Sequence, residues 1–147
     1  MLLRNQQVRL KGRCRFGKHL SLKKARELSE KFCEDFRIPY CGIYYVDHIE
    51  GFDDEEEVMG IYTDQKPSHI LVVKSGINRL GLVMHELTHH LEQCSYDNKG
   101  ESEHGYSYQK AKERVVTWCR KNISDKPNWY NCLKATFNKY EMKAFQL

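Results

Sequence analysis

The chain of 147 residues lacks any apolar run approaching the roughly 20 residues that a membrane-spanning helix needs. Its opening, MLLRNQQVRL, has only two leucines before Arg4, so no secretory leader is expected and a cytoplasmic protein is the simplest reading. The six cysteines include no C-x-x-C pair, which excludes a zinc ribbon and a thioredoxin-type redox motif and leaves reduced, mostly buried thiols as the expectation. Internal repeats and low-complexity tracts are absent. With 40% apolar and 12% aromatic residues beside only 9 Gly and 3 Pro, the collagen-like and disordered classes are excluded. The length suits one domain, residues 1–147, large enough to bury a core.

Lysine and arginine are missing altogether from residues 41–64, where acidic residues collect, whereas residues 1–40 and 65–147 are basic and bring the net charge to +4. Such blocks predict separate surfaces on one domain. In the first block VRLKGRCRF alternates, with Arg9, Lys11, Arg13 and Arg15 on one side, which predicts a strand or arm over residues 1–19. Its basic face is either a candidate nucleic-acid contact or the charged guard of an edge strand. The acidic stretch EGFDDEEE reads as a solvated loop, with cation binding as the alternative.

Ser21 is a candidate N-cap for a helix in which Leu22, Ala25, Leu28, Phe32 and Phe36 recur at helical spacing up to Ile38-Pro39. Three apolar, β-branched or aromatic runs follow, CGIYYVDHI, VMGIYT and HILVV, and predict a small three-stranded antiparallel sheet. From Ile77 to about Tyr96 the period is helical again, with Leu80, Val83, Met84, Leu87 and Leu91 on one face. A polar stretch precedes the helix of HGYSYQKAKERVVTWCRKN, and Pro127 opens a last, aromatic helix over 123–147, with Trp129, Leu133, Phe137 and Tyr140 on its apolar face. Trp118, Trp129 and Tyr130 read as core residues, with base stacking as the rival role. The predicted class is α+β, with residues 20–122 as the core that carries the chemistry.

His85-Glu86-Leu87-Thr88-His89 is an H-E-x-x-H motif within the second of these helical stretches, Ile77 to about Tyr96. Four residues make a little over one turn, so His85 and His89 share a face and can offer two imidazole nitrogens to one Zn²⁺, with Glu86 rotated off the ligand axis as the candidate base for a zinc-held water. A catalytic zinc keeps three protein ligands and an open position. His104 is the candidate third ligand, and Asp97, Glu101 and Glu103 are its competitors. His90 points about 100° away from His89, toward an outer layer or the surface. Tyr106 and Tyr108 are candidates for stabilising an oxyanion or backing the site, with packing as the alternative.

HELTHH, followed by His104-Gly105 and an aromatic at Tyr108, resembles the SprT-like (Spartan/SprT) zinc metalloprotease domain over roughly residues 20–120. That resemblance implies a zincin-like fold, one catalytic zinc on His85, His89 and His104, Glu86 as the base, and hydrolysis of a protein or peptide substrate. It also implies that HILVV pairs with extended peptide through its backbone. The family's second motif usually continues Pro-Glu-aromatic after His-Gly, and here Tyr106-Ser107-Tyr108 keeps only the aromatic. A DNA-binding zinc ribbon, frequent in that family, has no counterpart here, so a nucleic-acid partner would fall to Arg9, Lys11, Arg13 and Arg15. The rival functions are a zinc-containing binding or regulatory protein without turnover and a small basic nucleic-acid-binding protein. An amphipathic helix with coincidental histidines is the bland reading of the motif.

Overall fold

Ser21 begins the first helix by accepting the Lys24 backbone N–H on its hydroxyl at 3.1 Å, an N-cap bond that satisfies one of the otherwise orphaned first-turn donors. The computed structural model describes residues 20–49, 59–75, 78–96 and 104–123. The expected basic strand with Arg9, Lys11, Arg13 and Arg15, the acidic loop at 50–58, Asp97, Glu101, Glu103 and the aromatic helix after 123 lie outside these residues. Helix α1 runs Leu22–Phe36 and buries Ala25, Leu28 and Phe32. It ends at Arg37 in the left-handed region (φ 56°, ψ 45°), where the Arg37 and Ile38 N–H groups close onto Glu34 and Cys33 carbonyls.

Strands β1 (Gly42–Val46), β2 (Gly60–Thr63) and β3 (His69–Val73) form one sheet in the order β1-β3-β2. The expected antiparallel sheet is corrected here: β3 runs antiparallel to β2 but parallel to β1, so the sheet is mixed. Alternating apolar residues report which face a side chain takes, not strand direction. The direction follows from the connections: a short turn makes β2 and β3 a hairpin, whereas the long path from β1 through β2 supplies the crossover that a parallel pair requires.

The pairing also overturns the expectation that HILVV offers free backbone groups. Strand β3 is central, and its end bonds extend the pairing on both sides, with Val73 N–H donating to Met59 O at 2.9 Å and Lys74 N–H to Val46 O at 2.7 Å. Among the described residues, β2 is an edge strand with one side unpaired.

Helix α2 (Arg79–Ser95) carries the H-E-x-x-H residues, and Asn78 caps it by accepting Gly81 N–H at 3.0 Å. Leu80, Val83, Met84, Leu87 and Leu91 are buried, as the period predicts. Helix α3 (Tyr106–Asn122) ends in Arg120 and Lys121, whose charge suits the negative end of a helix dipole. Three helices and the mixed sheet thus make an α+β arrangement, with α2 packed against α1, α3, β2 and β3. Trp118 is core, as expected: it lies edge-on to Phe32 and donates its indole N–H to Asp35 at 2.9 Å, joining α3 to α1. No helix among the described residues is long and apolar enough to cross a membrane.

Candidate metal centre

The α-helical period divides the polar residues of α2 between two directions. Leu82, Glu86 and His90, four residues apart, meet β2: a Cβ placed on Gly60 would lie 3.7 Å from Leu82 Cδ2 and 3.8 Å from Glu86 Cγ, and Tyr62 bonds to His90. His85 and His89 instead meet His104, which stands just before α3. Gln109, one turn into α3, fixes that approach by donating its side-chain amide to the His104 carbonyl at 3.2 Å and its backbone N–H to Gly105 O at 3.0 Å.

The three imidazoles converge through one kind of atom. His104 Nε2 lies 3.2 Å from His85 Nε2 and 3.3 Å from His89 Nε2. A metal with 2.0–2.1 Å bonds to nitrogen in tetrahedral geometry separates its ligands by about 3.3–3.4 Å, so the spacing fits ligands around a common ion. Among the described residues these three form the one group of metal-ligating side chains close enough to share an ion.

Electrostatics favour the same use. Burial, and then the neighbouring His89, His104 and Lys112, push the pKa of His85 down to about 3. Burial, and then His104, push His89 down to about 4. Both rings are therefore neutral at pH 7 and keep a lone pair for a metal. Their outer nitrogens face α3 and the next turn of α2: the Tyr108 hydroxyl lies 3.2 Å from His85 Nδ1, and the Glu92 carboxylate 3.7 Å from His89 Nδ1.

The other candidates separate cleanly. Glu86 is only 7% exposed, on the side of α2 that β2 crosses. Tyr108 is fully buried against all three histidine rings, and its hydroxyl lies at the Nδ1 side of His85, away from the converging Nε2 atoms. Tyr106 is 70% exposed under the Lys110 ammonium, and no contact joins it to the histidines. His90 is buried and not at the surface, with Nε2 2.7 Å from Pro39 O and Nδ1 2.9 Å from the Tyr62 hydroxyl.

Sequence reasoning passed over Glu92, Tyr62 and the fully buried Lys112. Glu92 carried a signal, since it stands three residues after His89 and so on the same side of the helix. Tyr62 carried none, because its partner lies 28 residues away on another element.

Comparisons with protein-family models, with curated proteins and with solved structures found no match to this chain.

Proposed function

We propose that the chain is a zinc-dependent metallopeptidase of zincin-like, SprT-like type, with one Zn²⁺ held by His85, His89 and His104. The observation that carries this reading is the convergence of three imidazole Nε2 atoms, one pair from successive turns of a helix, with Glu86 beside the first of them. Three imidazoles without thiolate suit a catalytic zinc, which keeps a fourth position for water or substrate. When bound, the metal acts as a Lewis acid that makes water a usable nucleophile near neutral pH and polarises a carbonyl oxygen.

The protein's own residues supply the remainder. Glu86 takes the proton of the attacking water and passes it to the leaving amine, so one carboxylate serves as base and then acid. Its place beneath β2 keeps it nearly dry, which strengthens its interaction with a developing charge. The side of β2 that is unpaired among the described residues offers backbone groups that hold an extended peptide by strand addition, the part the sequence reading had given to β3.

The test is hydrolysis of an unfolded protein such as casein by the zinc-loaded chain, alongside Glu86→Gln. Loss of the base lowers the rate by about 10²–10⁴-fold while zinc stays bound. Full activity in Glu86→Gln would refute the mechanism. An intact zinc site with no hydrolysis of any unfolded protein would transfer the chain to the non-proteolytic zinc-binding reading. His104→Ala is expected to lose the zinc that the wild type retains, and equal metal content in both would remove His104 from the ligand set.

A further inference from the structure

A neutral imidazole carries one N–H and one lone pair, and a histidine binds a metal through Nε2 only when the proton sits on Nδ1. The group facing Nδ1 therefore decides whether a histidine is ready for metal. In this chain the two helical ligands meet chemically different groups there. His89 Nδ1 faces the buried Glu92 carboxylate at 3.7 Å, beyond hydrogen-bonding distance but near enough for a carboxylate charge to favour an N–H over a lone pair on that atom. His85 Nδ1 faces the Tyr108 hydroxyl at 3.2 Å.

An ionised carboxylate can only accept a hydrogen bond, whereas a phenol can donate or accept. Resting on the metal reading above, we propose that Glu92 is the positioning residue of the centre, holding His89 in the Nδ1–H form before metal arrives. Tyr108 has the weaker, permissive role at His85. Its hydroxyl satisfies Nδ1 in either form, accepting from Nδ1–H when metal is bound at Nε2 and donating to Nδ1 otherwise. Metal binding thus begins from one ring already held in the correct tautomer and one whose partner accommodates either. Outer-layer carboxylates on ligating histidines also raise the donor strength of the ring.

The experiment compares zinc affinity, by competition with a chromogenic chelator, in the wild type, Glu92→Gln and Tyr108→Phe, each first shown to be folded without metal by circular dichroism. A carboxamide at position 92 can present either a donor or an acceptor and no longer dictates the tautomer. Its affinity is expected to fall about 10–100-fold, and that of Tyr108→Phe by less. A second measurement uses the metal-free wild type alone: the long-range ¹H–¹⁵N spectrum of the imidazoles should show His89 protonated at Nδ1. Wild-type zinc affinity in folded Glu92→Gln, or a metal-free His89 protonated at Nε2, would overturn the positioning role while leaving the metal centre intact. A wild type that takes up no zinc would overturn the metal reading and this inference with it.

Discussion

The Tyr62 hydroxyl, on edge strand β2, donates to Nδ1 of His90 at 2.9 Å, one residue beyond the candidate ligand His89. The direction of that bond is set on the far side of the ring. Nε2 lies 2.7 Å from the Pro39 carbonyl, which can only accept, so Nε2 carries the proton and Nδ1 receives. Burial lowers the His90 pKa and pushes Tyr62 up to about 12, so a neutral phenol meets a neutral imidazole at ordinary pH. Three separate parts of the chain, the turn before β1, strand β2 and helix α2, are held together through this one side chain.

Removing the hydroxyl in Tyr62→Phe deletes one hydrogen bond of the pair and should cost about 0.5–1.5 kcal/mol of stability. Truncation in His90→Ala leaves Pro39 O and the Tyr62 hydroxyl to find other partners and opens a space in the core, and should cost more. Urea denaturation of both variants measures the difference, and equal stability of the wild type and His90→Ala would show that the tie contributes nothing.

Gly60 lies where β2 passes over Glu86. A methyl group there meets Leu71 O, Leu82 and Glu86 at 3.7–3.8 Å, ordinary contact distances, so Gly60→Ala should fold and load metal as the wild type does. A Gly60→Phe side chain must displace Leu82 or Glu86. On the peptidase reading, hydrolysis should fall with zinc content unchanged, and activity equal to that of the wild type would separate Gly60 from the placing of Glu86.

The depressed pKa values of His85 and His89 set a pH dependence for the metal-free protein. Unfolding returns both rings to a pKa near 6.5, so between that value and about 4 the unfolded chain binds more protons than the folded one. Stability is therefore highest above pH 6.5 and falls as the pH drops toward 4. Urea midpoints measured from pH 7.5 to 4 should show this slope in the wild type and a shallower one in the double variant His85→Ala, His89→Ala. Identical slopes would mean that the two rings are not desolvated in solution.

The thiols should differ in reactivity for the same reason. Burial raises the pKa of Cys33 to about 11 and those of Cys41 and Cys119 further, whereas Cys94 is exposed on α2. At pH 8, Cys94 should be alkylated first among these four, as read by peptide mapping after brief iodoacetamide treatment. Faster labelling of Cys33, Cys41 or Cys119 would reveal local opening of the core around it.

How much could be read before folding depended on how local each feature is. The helices of Ala25, Leu28 and Phe32 and of Leu80, Val83 and Leu87 were legible because one face of a helix repeats within a few residues. The pairing of His85 with His89 was legible for the same reason. His104 needed more than spacing, since a polar stretch separates it from α2. The parallel pairing of β1 with β3, the edge position of β2 and the burial of His90 left no local trace.

By its spacing alone the sequence determined that His85 and His89 share a helical face, that Glu86 stands off it, and that an apolar stripe roots the helix in a core. Helical geometry is short-ranged, so four residues suffice to state it. Tertiary structure alone decided that His104 Nε2 comes within 3.2–3.3 Å of the other two and that Glu92 and Tyr108 face their outer nitrogens. It also decided that β2, an edge strand among the described residues, borders Glu86. The contact of α3 with α2 and the crossover between β1 and β3 join residues far apart in the chain, and the packing of the whole core is what brings them to those distances.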